Sequence, residues 1–505
     1  MKKSSYDYFD VEYTKKSLKY RAVRGGGIIV LTRIISTLIQ MGGVVALARL
    51  LIPSDFGLFT MASVIINFFF VFQELGLADA TIQAPQINHD QVSTLFWINV
   101  AFGAAMTVVL IAISPAAAWF YKRSELTLVI IVSSISFLFY GFTAQHQALL
   151  KRNMMFVRYS VSDLLSQLIS TMGAVALALL GFRYWAIVAR PIFYSLSNWV
   201  CTWIFCRWRP GLPKKGSGVR PLLNFGANSV VFYIVNYFIN NLDKSLIGRK
   251  YGAEQVGYYG RAYYLSAYPA SQLSTPLFHV AVSTLSKLRQ DAGKYRRYYL
   301  SAISVMSFLG MPASVFMAMM SKELVYILLG PQWSQTAELF AILSLGIGMN
   351  ILSASSGWLF VSLGRTDRWR NWGLLSSGIM VVGYFVGISF GVKGVAIAYM
   401  VLTFSLTFPG ILYGGRPIGI RFREIYSTIW KYILASVLAG AILFHLKSLA
   451  ILENMIVLKT ILSLVFYLCV YLALVVLFYR GIAPIREIVS LFKIMVGKRH
   501  QEEIN

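Results

Sequence analysis

The chain has 505 residues, 57% of them hydrophobic and 13% charged, with a formal net charge of +26. Apolar windows near twenty residues recur from residue 25 to residue 479, which excludes a soluble globular protein and marks an all-α polytopic membrane protein. Lys and Arg gather in alternate loops rather than in a basic module with interleaved aromatics, so the charge reports topology and contact with anionic lipid, not nucleic-acid binding.

A basic N-terminus, residues 1–24, comes first; the stretch after it is too long for a signal-peptide core. About fourteen spans follow. They are predicted near 25–51, 57–83, 93–121, 126–148, 159–182, 184–206, 222–247, 254–280, 297–320, 336–362, 371–391, 394–414, 425–446 and 455–479. Residues 25–206 hold six spans and read as a first lobe. Residues 207–221, rich in Pro, Gly and charge, read as a linker. A second six-span lobe occupies 222–414, two further spans fall within 415–482, and the tail is 483–505. In that tail Ile485, Ile488, Val489 and Phe492 recur at helical spacing, as in a helix lying on a leaflet. Loop cations favour one side by roughly three to one, which predicts both termini in the cytoplasm.

An internal repeat supports the two lobes. Residues 47–59 align with 247–259, so that Arg49 falls on Arg249, Gly57 on Gly257 and Phe59 on Tyr259. Asp55 lies in the same first hairpin. Each copy sits where one span ends and the next begins. Because six spans are an even number, the halves keep one orientation, a parallel repeat.

Ionisable residues inside the spans carry the functional signal, since burying one is costly unless it is paired or wetted. Arg33 lies roughly 12 Å into span one and Glu74 roughly 13.5 Å from the matching end of span two. They are a candidate ion pair, read either as functional or as a structural bridge. Asn240, Asn241, Asp243 and Lys244 on span seven face Arg261 on span eight, as a hydrated cavity wall or a buried bridge. Arg190 precedes Pro191 in span six, where a kink is tolerated beside a cavity. Arg49 is near enough to the outer surface to snorkel. Asp79 and Asp163 lie towards the ends of their helices, as interfacial groups or, for Asp163, as a coupling carboxylate. Arg33, Arg190, Lys244 and Arg261 together suit an anionic substrate such as a phosphate. Trp97, Tyr140, Tyr233, Tyr237, Tyr259 and Tyr263 offer stacking surfaces for sugars, or ordinary packing.

No Walker A sequence and no His/Cys/Asp cluster of metal-ligand spacing is present, so neither ATP hydrolysis nor a metal site is predicted. Cys201, Cys206 and Cys469 read as three small buried hydrophobes. No catalytic residue stands out.

Residues 48–59, followed by Glu74-Leu75-Gly76-Leu77, are similar to the opening hairpin of bacterial polysaccharide flippases. Asn241-Leu242-Asp243-Lys244, Gly248-Arg249 and Val256-Gly257-Tyr258-Tyr259 resemble the junction of their seventh and eighth spans. These proteins belong to the multidrug/oligosaccharidyl-lipid/polysaccharide exporter superfamily, in the branch of lipopolysaccharide and colanic-acid exporters. The resemblance implies a V-shaped pair of six-helix lobes around a cationic cavity, working by alternating access. It implies a non-enzymatic flippase in the bacterial plasma membrane that moves an oligosaccharide on undecaprenyl pyrophosphate between leaflets. It also implies coupling to a Na+ or H+ gradient, with no cofactor, and partnership with the polymerase and chain-length proteins of one glycan pathway. Two other readings stand beside it. A cation-coupled multidrug antiporter calls for a more acidic lumen than Glu74, Asp163 and Asp243 supply. A membrane glycan polymerase or ligase calls for a long catalytic loop.

Overall fold

The computed structural model describes residues 8–9, 18–73, 77–84, 86–214, 230–447, 455–482 and 486. Glu74, Leu75, Gly76 and the amphipathic positions of the tail lie outside them. Every regular element among the described residues is helical. Lipid offers backbone groups no partner, so each helix satisfies its own.

The helices are α1 (Leu18–Leu50), α2 (Pro53–Gln73), α3 (Leu77–Gln83), α4 (His89–Tyr121), α5 (Glu125–Arg152), α6 (Phe156–Leu179), α7 (Tyr184–Phe205) and α8 (Val230–Lys287). They continue as α9 (Ala292–Met319), α10 (Ser321–Leu328), α11 (Ser334–Leu345), α12 (Ile347–Ser362), α13 (Thr366–Gly387), α14 (Gly391–Gly415), α15 (Phe422–Lys447) and α16 (Ile456–Tyr479). Among the described residues, each of the fourteen predicted windows overlaps a helix. Nine stretches among the described residues are long and apolar enough to cross a bilayer, or ten if α11 and α12, bent by 46°, form one span. The chain is therefore a multi-pass membrane protein, while fourteen crossings remain a prediction from hydropathy. The difference arises at helices such as α8, where Asn240, Asn241, Asp243, Lys244 and Arg261 interrupt the apolar run.

The chain divides into two compact units, residues 1–257 and 258–505, with the division inside α8. In the first, α4 pairs with α5, α6 with α7, α1 lies on α6, and α5 lies on α7. Asn88 starts α4 with a reciprocal cap: its side chain accepts from the Gln91 N–H, and Gln91 accepts from the Asn88 N–H. Beside this cap the chain leaving α7 is strapped down. The Gly211 N–H donates to Ser93 Oγ (3.0 Å), Trp97 Nε1 donates to the Gly211 carbonyl (2.8 Å), and Lys214 pairs with Asp90 (2.8 Å). Tyr8 is buried here with Val92, Leu95, Phe96, Leu149, Cys206 and Trp208. Its carbonyl accepts from Asn153 Nδ2, and its hydroxyl from the Arg207 N–H. Burial pushes the Tyr8 hydroxyl up to about 12 and the Cys206 thiol up to about 11. Of the three cysteines expected to be buried, only Cys206 is. Cys201 is half-buried, and Cys469 is exposed on α16, whose outward side chains face lipid rather than protein.

In the second unit α9 is the hub, contacted by α11, α12 and α15. Hydroxyls join these helices: Tyr295 with Ser362 (2.6 Å) and Tyr299 with Ser355 (2.8 Å), both buried, and Ser304 with Tyr432 (2.8 Å), partly buried. The last two helices are fastened the same way. Tyr471 donates to the Phe308 carbonyl on α9 (2.9 Å), and Tyr467 to the Ser436 carbonyl on α15 (3.2 Å). Lys431 donates to the Phe478 carbonyl near the end of α16.

Candidate functional site

In the first unit a row of polar groups inside apolar helices lines the seam between α6 and α7. On α6, Tyr159, Asp163, Gln167 and Thr171 recur every fourth residue and so form one stripe. On α7, Arg190, Tyr194, Asn198 and Thr202 do the same. Ser162, Ser166 and Ser170, buried beside the α6 stripe, are small enough to let the helices approach closely.

The two stripes are joined rung by rung. Tyr194 donates to Asp163 Oδ1 at 2.6 Å, and Gln167 Nε2 donates to Asp163 Oδ2 at 2.8 Å. Arg190 Nη2 reaches Thr171 Oγ1 at 3.5 Å. Asn198 donates to Ser166, and Ser162 bonds Thr202 at 2.9 Å. From α5, Gln147 donates to Asn198 at 2.7 Å. Asp163 and Arg190 are the charged members, both half-buried. Among the described residues Asp163 forms no ion pair, so neutral donors alone hold its charge. The sequence flagged Asp163 and Arg190 but not Tyr194 or Gln167. The four-residue spacing was the available signal for them.

Arg33, predicted to pair with Glu74, is exposed on α1; the pairing itself falls outside the described residues. Lys244 Nζ bonds Asn241 Oδ1 at 3.1 Å, and the buried Asp243 carboxylate accepts the Lys244 backbone N–H at 2.7 Å. Arg49 is exposed, and Arg249 lies 5.7 Å over the Phe120 ring. Asp55 is buried and pairs with Arg183 at 3.4 Å, tying the first turn of α2 to the residue that precedes α7.

In the second unit Arg261 lies 5.4 Å over the Tyr264 ring, and Tyr264 is 5.3 Å from Tyr268. The three follow one face of α8, a cation continued by aromatic rings. Of the aromatics predicted for sugars, Tyr259 is fully buried, Tyr237 donates to the Val64 carbonyl, and Trp97 serves the strap. Tyr259 and Tyr237 thus serve packing, while Trp97 anchors the strap from an exposed position. Tyr140 and Tyr263 are half-buried, and the side chain of Tyr233 is outside the described residues.

The repeated hairpins show their purpose in the backbone. Gly252 (φ 85°) breaks α8 at the position that aligns with Ile52, between α1 and α2. This turn needs a residue free to adopt positive φ. Beyond the two turns, Gly57 packs on the backbone of Ala253, and Gly257 on the backbone of Pro53.

Comparison with known proteins follows this geometry. Residues 46–338 match the model of a family described as polysaccharide biosynthesis protein. The chain is 25% identical to the Bacillus subtilis teichuronic acid biosynthesis protein TuaB over 380 residues, 74% of this chain and 77% of that one. It is 23% identical to the Escherichia coli lipopolysaccharide biosynthesis protein WzxC over 422 residues, 82% and 85% of the two chains. Its fold is that of the lipid II flippase MurJ in an inward closed conformation, with a TM-score of 0.72 at 13% identity over 90% of this chain and 99% of that one.

Proposed function

The chain belongs to the polysaccharide biosynthesis protein family, and from that membership we propose that it is a flippase for lipid-linked oligosaccharides. Its cargo is an undecaprenyl-pyrophosphate-linked repeat unit of O-antigen, exopolysaccharide or capsule. It moves this from the cytoplasmic to the periplasmic leaflet of the bacterial inner membrane by alternating access, with both termini in the cytoplasm. The polymerase and chain-length proteins of the same pathway receive the product.

The observation that carries this reading is the polar seam of α6 and α7, where Arg190 and Asp163 are held inside apolar helices by hydroxyls and amides. A membrane helix retains such groups where a polar cargo or an ion must pass. Arg33, Arg190 and Lys244 in the first unit and, independently, Arg261 in the second are the cations proposed for the pyrophosphate, since charge-assisted bonds to phosphate oxygens are the strongest they form. Tyr264 and Tyr268 add rings that suit sugar faces.

The test is glycan export in cells whose only copy of the protein carries Arg33→Ala, Lys244→Ala or Arg261→Ala. Loss of surface glycan, with lipid-linked repeat units accumulating at normal protein levels, is the expected result. If all three variants export normally, this assignment of the site fails.

A further inference from the structure

We infer that the end of the first unit where α5 and α7 finish is a binding seat for a short aromatic peptide. Its ligand in this structure is the chain's own Tyr8-Phe9, and occupancy decides whether residues 207–214 stay docked. The inference does not depend on the flippase reading.

The seat is built by the helices and receives a segment that belongs to none of them. Val92, Leu95 and Phe96 of α4, Leu149 of α5, and Cys206 and Trp208 beyond α7 pack with the Tyr8 ring, which is 7% exposed. Phe9 lies beside it, its ring 5.9 Å from that of His89 in an edge-on contact. Polar recognition comes at two points. Asn153, itself buried, donates Nδ2 to the Tyr8 carbonyl, and the Arg207 N–H donates to the Tyr8 hydroxyl, each at 3.2 Å. One bond reads the backbone and the other the tip of the side chain, while the pocket holds the ring. Peptide-binding surfaces divide the work in the same way.

The Arg207 bond couples the seat to the strap. Trp208, the next residue, is buried against Phe96 and His146. Docking it has a cost, because its Nε1 is buried with no hydrogen-bond partner among the described residues. Such a donor regains water when the strap lifts. The bonds farther along return little. Trp97 Nε1 to the Gly211 carbonyl, the Lys214 N–H to Thr94 Oγ1 (3.3 Å) and the Lys214–Asp90 pair are all exposed, where water replaces them. Tyr8 covers the root of the strap, and burial of its ring supplies the missing stabilisation. A filled seat therefore holds residues 207–214 on α4, and an empty one releases them. These residues begin the connection from α7 to α8, so the seat governs how much of that connection is free to move.

Hydrogen exchange on the full-length protein in detergent, read by mass spectrometry, tests this. Tyr8→Ala should speed exchange over residues 207–214 roughly tenfold to a hundredfold, with α4, α5 and α7 exchanging as in the wild type. Tyr8→Phe keeps the ring but removes the acceptor for Arg207, and should give a smaller rise, largest at Arg207. A synthetic peptide of residues 2–12, added in excess to the Tyr8→Ala protein, should restore protection. The same peptide carrying the Tyr8→Ala change should not. Unchanged exchange over residues 207–214 in the Tyr8→Ala protein overturns the coupling to the strap. Faster exchange through α4, α5 and α7 as well would make Tyr8 a fixed part of the core. Failure of the wild-type peptide to restore protection would show that the seat binds no peptide. Any of these three results overturns the inference.

Discussion

Gly57 and Gly257, aligned positions of the internal repeat, lie in one contact, each packed on the backbone of the other's segment. A methyl group on Gly57 would overlap the Ala253 carbonyl, and one on Gly257 would overlap that of Pro53. Backbone cannot give way as a flexible side chain does. Gly57→Ala and Gly257→Ala are therefore each expected to destabilise this contact by about 1–3 kcal/mol. Thermal unfolding in detergent, beside export in cells, measures it. The double variant should cost less than the sum, because one displacement relieves both overlaps.

The Asp55–Arg183 pair predicts an asymmetry. Asp55 is 5% exposed at its side chain and Arg183 is 64% exposed. Arg183→Gln leaves a buried carboxylate without its cation, at a cost of about 1–3 kcal/mol. Asp55→Asn removes the buried charge and should cost less. Melting temperatures of the two single variants and the double one check this, and the double should resemble Asp55→Asn alone.

The C-terminal pair of helices is pinned by single hydroxyls. Tyr471→Phe deletes the bond to the Phe308 carbonyl while keeping the ring in place. Bonds of this kind inside membranes contribute about 0.6 kcal/mol on average, up to about 1.7. A fall in unfolding temperature of that order, with glycan export retained, is the expected result. Loss of export would instead give α16 a part in transport.

Cys206 offers a chemical readout of the strap. Its thiol is raised by burial from the ordinary value of 9.0 to about 11. The thiolate is the reactive form, so a rise of this size lowers it about a hundredfold at neutral pH. Alkylation at about pH 8 should spare Cys206 in the intact protein. Tyr8→Ala removes part of its cover and should speed its modification strongly, read by mass spectrometry of the peptide.

Hydropathy made the helices legible, because each was set by its own residues. The window at 184–206 became Tyr184–Phe205, and the one at 455–479 became Ile456–Tyr479. The bend between α11 and α12 was not visible, since Gly346 lies in an unbroken apolar run. The repeat pointed to the turns at Ile52 and Gly252 from sequence alone, but that its two glycines meet depends on packing. The site was legible in part. An aspartate and an arginine inside apolar spans stand out in any sequence. Tyr194 lies 31 positions from the carboxylate it bonds, and nothing local distinguishes it from a packing tyrosine. Trp97 and Tyr259 looked like sugar platforms for the same reason, and three-dimensional neighbours gave them other tasks.

Tyr8 is synthesised long before its partners Asn153 and Arg207. Its place in the bundle does not exist until α7 has been inserted. An early segment is thus seated only after α7, a late step in biogenesis that reports that seven helices are in position. Tyr8→Ala is expected to act on maturation of the first unit, before any cargo is met.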